Sequence, residues 1–78
     1  MKNYGDWVRV QLNIIDRSPE WLYRRTKIGT GAVNRWCKGD QPRLDIFIKV
    51  CLVLGKAQNR RLNGMIRDCI EYIDHGYP

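Results

Sequence analysis

The stretch Ser18-Pro-Glu-Trp-Leu-Tyr-Arg-Arg-Thr-Lys-Ile-Gly-Thr-Gly-Ala-Val-Asn-Arg-Trp-Cys-Lys-Gly39 decides the fold that we expect of this chain. Ser18 is a preferred helix cap, and Pro19 fits the first helical position, where its missing amide donor is not needed. Ile28-Gly-Thr-Gly31 interrupts the helical pattern, because glycine favours turns over helices. Gly39 is typical of the position just after a helix. The stretch therefore predicts two short helices joined by a tight turn.

The rest of the chain predicts three more helices, at about residues 4–15, 43–54 and 58–73. The third helix of the five, inside the opening stretch, spans about residues 30–38. Gly55 is the expected end of the fourth helix, which is apolar on nearly every side and is therefore expected at the centre. The fifth helix carries an apolar stripe at helical spacing, composed of Leu62, Met65, Ile66, Cys69, Ile70 and Ile73. No strand pattern is present, so we predict an all-α bundle of five helices.

A chain of 78 residues forms one domain at most, and 44% hydrophobic residues argue against disorder. Positive charge is concentrated in the middle of this domain. The net charge is +6, and residues 17–49 hold eight basic and three acidic side chains, whereas residues 1–16 hold two of each. Such a basic segment favours a polyanionic partner, although a solvated basic surface without a partner has the same composition.

The sequence indicates no catalytic residue, metal site or cofactor. Cys37, Cys51 and Cys69 are widely spaced, and together with the single His75 they form no zinc-ligand pattern. The acidic residues form no convergent pair. The three cysteines stand beside apolar residues in predicted helices, where we expect small buried side chains.

Reduced thiols also favour a cytoplasmic protein. The N-terminus carries no apolar leader, and the longest apolar run, Val50 to Leu54, is too short to span a bilayer. We therefore expect no membrane partner.

Thr30, Asn34, Arg35 and Lys38 share one face of the predicted third helix. Hydroxyl, amide, guanidinium and ammonium groups suit the base edges and phosphates of DNA. Two short helices joined by a tight turn, the second of which carries this polar face, predict a DNA-binding helix-turn-helix over residues 18–39. The alternative for these side chains is an ordinary solvated helix face.

From about Trp7 to Gly55 the sequence resembles the Cro/C1 repressor (XRE) family of helix-turn-helix proteins. The matching positions are Ser18-x-Glu20-x-Leu22, then Ile28, Val33, Arg35, Trp36 and Gly39, and finally Pro42, Leu44 and the apolar run to Leu54-Gly55. Their joint spacing without gaps carries the resemblance. It implies a repressor-like bundle and a sequence-specific regulator of transcription that binds double-stranded DNA. In its small size the chain is similar to phage or plasmid repressors and antitoxins, which implies a bacterial or phage-infected cell.

Two positions depart from the family pattern. Tyr23 stands where the family has a small residue at the crossing of the second and third helices, which implies a wider crossing angle or a rotated ring. Lys27 stands where the family has glycine in the turn. Because a left-handed lysine is strained, we expect Gly29 or Gly31 to take that conformation instead.

The resemblance further implies that the first half of the third helix contacts base edges in the major groove. The predicted base contacts are Thr30, Gly31, Asn34 and Arg35. Arg35 pairs with guanine and Asn34 with adenine in this interpretation, whereas Gly31 permits close approach to the DNA backbone. The predicted phosphate contacts are Arg17, Lys27, Lys38 and Arg43. The tryptophans at positions 7, 21 and 36 are expected to anchor the core rather than to stack on single-stranded nucleic acid.

The fifth helix has two alternative roles. It packs on the first helix to complete the core, or it joins the fourth helix in a homodimer interface. The candidate interface residues are Ile46, Val50, Val53, Ile66, Ile70 and Ile73. Helix-turn-helix regulators usually bind DNA as dimers, so we predict a homodimer. With 78 residues there is no room for a separate effector domain, and no small-molecule effector is predicted.

Two other functions remain open at this point. The first is a protein-interaction module that keeps the helix-turn-helix architecture without binding DNA. The second is a binder of RNA or single strands.

Overall fold

The first helix begins with a capping box. In the computed structural model, which describes residues 2–75, Asn3 Oδ1 accepts a hydrogen bond from the Asp6 amide at 2.9 Å. The Asp6 carboxylate in turn accepts one from the Asn3 amide at 3.1 Å. Both bonds satisfy amides that a helix start would otherwise leave free. This helix, α1, spans Tyr4–Ile14 and ends one residue before the predicted boundary.

Four more helices follow, and residues 2–75 contain no strand, so the predicted all-α bundle of five helices is confirmed. These helices are α2 (Pro19–Thr26), α3 (Ala32–Cys37), α4 (Leu44–Ala57) and α5 (Leu62–His75). α5 begins four residues later than predicted, because residues 58–61 form the turn that follows α4. No helix within the described residues is long and apolar enough to cross a bilayer.

Local chemistry sets the ends of α2 and α3. Ser18 Oγ accepts a hydrogen bond from the Trp21 amide at 3.4 Å, and Pro19 is the first residue of α2, as predicted. Gly39, just beyond α3, has a φ of 109°, which also agrees with its predicted role in ending this helix. α3 begins two residues later than predicted, because Gly31 has a φ of 83° and cannot belong to a right-handed helix.

Gly55 does not end α4, contrary to the prediction. It is a buried residue inside the helix, which continues to Ala57 and is followed by Asn59 with a φ of 57°. A Cβ at Gly55 would lie 2.9 Å from both the Arg60 carbonyl oxygen and Met65 Cγ. Glycine is therefore needed at this position because Arg60 and Met65 pack closely against α4.

α4 packs against α2 and α5 but is not enclosed on every side. Val50, Cys51 and Leu54 are buried, whereas Leu44 and Leu52 are 72% and 51% exposed. The expectation of a helix surrounded by the core was therefore wrong, since α4 has a single buried face. Val50 is fully buried within one chain, so its assignment to a dimer interface was also wrong.

The buried face of α5 is rotated from the predicted stripe. Met65, Cys69 and Tyr72 are buried, whereas Ile70 and Ile73 are 58% and 43% exposed. The two isoleucines therefore do not pack in the core, because the three buried residues also follow helical spacing and lie on the side that packs against α1 and α4.

Side chains from all five helices meet in one core. Trp36 is buried, whereas Trp21 is only half-buried and packs at the margin. Every helix contributes at least one core residue that is at most 1% exposed, for example Trp7, Leu22, Val33, Leu54 and Met65.

Polar contacts join α5 to α1. Trp7 Nε1 donates to the Asp68 carboxylate at 2.8 Å, and Gln11 Nε2 reaches the same oxygen at 3.4 Å. Gln58, immediately after α4, donates to Gln11 Oε1 at 2.7 Å. α5 therefore completes the core, as the first of its two alternative roles predicts.

Candidate nucleic-acid interface

α3 has a buried apolar face and an exposed polar face. Ala32, Val33 and Trp36 are buried, and Asn34 and Arg35 are exposed. This division follows from the helical repeat of 3.6 residues, which separates the two sets of positions. Two of the side chains predicted to contact bases are therefore exposed on the surface of α3.

Three of the four predicted base-contact residues, Thr30, Gly31 and Asn34, border one shallow cleft of about 230 Å³. The other residues that line it are Pro19, Glu20, Tyr23 and Val33. The cleft thus lies where the beginnings of α2 and α3 meet. Glu20, which was not predicted as a site residue, adds a carboxylate acceptor to it.

The fourth residue, Arg35, extends back over Gly31. Its Nη1 lies 3.7 Å from the place where a Cβ of Gly31 would stand, and no other atom lies within 4 Å of that place. Gly31 is therefore required by its positive φ rather than by a lack of space. Lys38, which caps the C-terminus of α3, is exposed.

A tyrosine of α2 caps the start of α3. Tyr23 is buried, and its hydroxyl accepts a hydrogen bond from the Val33 amide at 3.0 Å. Gly31, the N-cap residue, has no side chain to accept from the first turn. The bulky side chain at the helix crossing thus replaces the missing cap and ties α2 to α3.

Lys27 adopts the left-handed conformation that we expected a glycine to take in its place. Its φ is 60°, and its amide donates to the Tyr23 carbonyl at 2.8 Å to close α2. The prediction was wrong for Lys27, because the last turn of α2 ends in a left-handed residue at this position. Gly31 is left-handed as well, whereas Gly29 is not among the residues with positive φ.

The predicted phosphate contacts at Arg17 and Arg43 have partners within the chain. Arg17 Cζ lies 5.6 Å from the centroid of the Trp21 ring, and Arg25 Cζ lies 5.3 Å from it. Arg43 forms an ion pair with Asp45 at 3.1 Å, with both side chains well exposed. An exposed pair of this kind is weak, so Arg43 remains available to a phosphate.

α1 crosses α3 at Gly5. A Cβ at Gly5 would overlap the Cys37 amide nitrogen and lie 2.5 Å from the Trp36 carbonyl carbon, so this approach requires glycine. Asn3 Nδ2 also donates to the Cys37 carbonyl at 2.8 Å, which satisfies an acceptor at the end of α3. The position of α3 is therefore set by α1 as well as by α2.

Arg9 of α1 extends to the exposed face of α3. Its Nη2 donates to Asn34 Oδ1, and its Nε donates to Cys37 Sγ at 3.1 Å. Arg9 is exposed, and it has no ion pair with a carboxylate in the part of the chain that the structure describes. Its positive charge therefore adds to that of the α3 surface.

Asn3, Gly5 and Arg9 could not be predicted as site residues, because their contacts join residues at least 25 positions apart and leave no local pattern in the sequence. The role of Tyr23 did leave a signal. A bulky residue at a helix crossing, together with a helix start at Gly31 that lacks a side-chain cap, indicates an acceptor supplied from elsewhere.

Three side chains of the core have raised pKa values. Burial raises the pKa of the Cys51 and Cys69 thiols to about 12, and it also raises the pKa of the Tyr4 hydroxyl above its ordinary value. The two thiols are buried, as predicted, whereas Cys37 is partly exposed. Within residues 2–75, no three His, Cys, Asp or Glu side chains are grouped closely enough to hold a metal ion.

In comparisons with known protein families, with curated proteins and with solved structures, the chain matches none of them.

Proposed function

We propose that this chain binds double-stranded DNA with sequence preference and regulates transcription, with α2, residues 27–31 and α3 acting as a helix-turn-helix of the Cro/C1 kind. The observation that supports this most directly is the division of α3, which buries Val33 and Trp36 and exposes Asn34 and Arg35. A helix held by its apolar face can enter the major groove with its polar face toward the bases.

Base contacts come from the exposed face. Arg35 donates to guanine, since its planar guanidinium matches the O6 and N7 acceptors of that base. Thr30 and Asn34 line the cleft together and contact neighbouring bases. Gly31 has no side chain, so it permits close approach of α3 to the DNA backbone.

Phosphate contacts come from exposed basic groups on either side of α3. Lys27 precedes α3 and Lys38 follows it, and both are exposed. Arg17 and Arg43 add two more cations. Neutralisation of phosphates releases counterions from the duplex, so the affinity is expected to fall steeply as the salt concentration rises.

The proposed regulator is a homodimer that pairs through α5. Ile70 and Ile73 are largely exposed, and Ile66 is half-buried beside them. Two copies of α5 packed antiparallel would bury this stripe symmetrically. Arg67 and Glu71 flank the stripe with opposite charges, and antiparallel packing brings each close to the other on the facing copy. Of the α4 candidates, Ile46 and Val53 are partly buried and can contribute only at the margin.

The dimer is tested by sedimentation equilibrium. Ile70→Lys places a charge at the centre of the proposed interface and should yield a monomer. Ile14→Lys is the matched control, because Ile14 is equally exposed, at 61%, but lies on α1. Monomeric wild type, or equal dissociation of both variants, would reject the interface.

DNA binding is tested by fluorescence anisotropy with a duplex selected from a random pool. Arg35→Ala should relax the preference at one base pair by about 1–3 kcal/mol. Lys38→Ala should weaken binding to all duplexes alike. Arg61→Ala is the control, since it removes an exposed positive charge from the turn before α5.

The alternative functions give different results in the same titrations. A protein-interaction module shows no duplex binding even at low salt. A binder of RNA or single strands binds an RNA probe or a single-stranded probe more tightly than the duplex. Either result would reject the proposed regulator.

A further inference from the structure

The exposed face of α3 contains one residue whose side chain is held by another helix. Asn34 accepts a hydrogen bond at Oδ1 from Arg9 Nη2, and the same guanidinium donates from Nε to Cys37 Sγ at 3.1 Å. Asn34 and Cys37 are three residues apart and so lie on the same side of α3. The Arg9 guanidinium therefore lies along one side of the helix at two consecutive turns.

The chemistry of arginine determines which way the Asn34 amide is turned. A guanidinium carries only donors, so the amide atom that faces it has to be the oxygen. The Asn34 Nδ2 group, with two donors, is then directed away from Arg9. This orientation follows because arginine has no hydrogen-bond acceptor.

The backbone beneath this pair is firmly positioned. Gly5 lets α1 approach α3 closely, and Asn3 is hydrogen-bonded to the Cys37 carbonyl at 2.8 Å. Arg9 lies one helical turn beyond Gly5 on α1. Because these contacts fix α1 against α3, the guanidinium is presented to Asn34 by a rigid element rather than by a loop.

We infer that Arg9 is a specificity-determining residue, which turns Asn34 toward guanine instead of adenine. The inference rests on the proposed function, since it assumes that α3 contacts bases. Guanine offers two acceptors in the major groove, N7 and O6, whereas adenine offers the N7 acceptor and the N6 donor. With Asn34 Oδ1 engaged, the Arg9–Asn34 pair presents donors, which match both guanine atoms and oppose the adenine amino group.

Removal of Arg9 should therefore change which base is preferred. In Arg9→Met the Asn34 amide regains its free oxygen, and an amide with a free oxygen and a free NH₂ group is complementary to adenine. Arg9 is exposed, and its two partners are the exposed Asn34 and the partly exposed Cys37, so the variant is expected to fold.

The experiment measures the relative affinity for duplexes that differ at single base pairs. Asn34→Ala first identifies the base pair that Asn34 contacts, as the position where the preference disappears. At this position wild type should favour guanine over adenine by about tenfold, and Arg9→Met should reverse or abolish that ratio. Arg9→Lys keeps the charge but cannot span Asn34 and Cys37, so it should keep the overall affinity and lose part of the preference. Arg61→Met is the matched control and should leave the preference intact.

The outcomes separate this inference from the proposed function. A wild type that prefers guanine, with the ratio unchanged in both Arg9 variants, would overturn the inference and leave the DNA-binding proposal standing. A preference for adenine at the Asn34 position in wild type would also overturn it. A wild type without any sequence preference for duplexes would overturn both.

Discussion

The Tyr23 hydroxyl accepts a hydrogen bond from the Val33 amide at 3.0 Å, so a side chain of α2 holds the first turn of α3. Tyr23→Phe removes this oxygen and little else. The Val33 amide is then buried without an acceptor, which should lower the free energy of unfolding by about 1–2 kcal/mol. Urea denaturation followed by circular dichroism measures the change. Base discrimination should decline as well, because α3 loses its cap.

Tyr4→Phe is the matched control for this experiment. The Tyr4 hydroxyl is buried and has no hydrogen-bond partner among residues 2–75. Its removal should leave the stability unchanged or raise it by about 1 kcal/mol. If both tyrosine variants lose stability equally, the loss at Tyr23 does not come from its bond to Val33.

Gly5→Ala should strongly destabilise the fold. The new Cβ would overlap the Cys37 amide. Because the atoms that it meets belong to the backbone of α3, the overlap can be relieved only if α1 and α3 move apart. We expect a loss of several kcal/mol, on the order of that for severe overpacking. Gly64→Ala is the control, because Gly64 is also helical but, apart from its own helix backbone and chain neighbours, no described atom lies within 4 Å of its Cβ position. That variant should gain up to about 1 kcal/mol.

Lys27→Gly should change stability and DNA affinity in opposite directions. Glycine adopts a φ of 60° without a steric penalty, so the variant should gain about 0.5–1 kcal/mol of stability. Loss of the ammonium group should weaken binding to every duplex and reduce its salt dependence. Lys27→Met separates the two effects, since methionine loses the charge but keeps the steric penalty at this φ, so it should lose affinity without the gain in stability. Unchanged DNA affinity in both variants would exclude Lys27 from the phosphate contacts.

The buried thiols predict a loss of stability at alkaline pH. Cys51 and Cys69 have pKa values of about 12 in the folded chain, against an ordinary value of 9.0. The folded state therefore binds these protons more tightly than the unfolded state does. Their contribution to stability is complete below pH 9 and declines as the pH rises from 9 toward 12, by about 1.4 kcal/mol per pH unit for each thiol.

Urea denaturation between pH 8.5 and roughly 10.5 checks this slope. Cys51→Ala, which lacks one of the two groups, should show a smaller decline with pH despite its lower stability at neutral pH. If the unfolding free energy falls with pH equally in wild type and Cys51→Ala, the decline does not come from deprotonation of the buried thiols.

The fold was predictable where local chemistry decides it. Ser18, Pro19 and Gly39 carry capping signals that depend only on their neighbours along the chain, and the structure uses all three as expected. Gly55 carries the same kind of signal, yet it lies inside α4 because close packing against Met65 also requires glycine. A sequence pattern does not separate these two reasons for a glycine.

The candidate site was predictable in part. The exposed positions Asn34 and Arg35 follow from helical periodicity, because the large apolar Trp36 determines which face of α3 is buried. Arg9 could not be found in this way. Its role depends on the crossing of α1 over α3, which is a tertiary contact between residues 25 positions apart.

The central claim is that α3 contacts the bases of duplex DNA, and selection of bound duplexes from a random pool tests it most directly. We predict enrichment of one sequence as two half-sites, roughly 10–10.5 base pairs apart from centre to centre, as a symmetric dimer requires. Binding to the enriched duplex should weaken steeply with salt and should lose its preference at one base pair in Arg35→Ala. A pool that stays random after repeated rounds, or binding that is indifferent to sequence in wild type and Arg35→Ala alike, would contradict the claim.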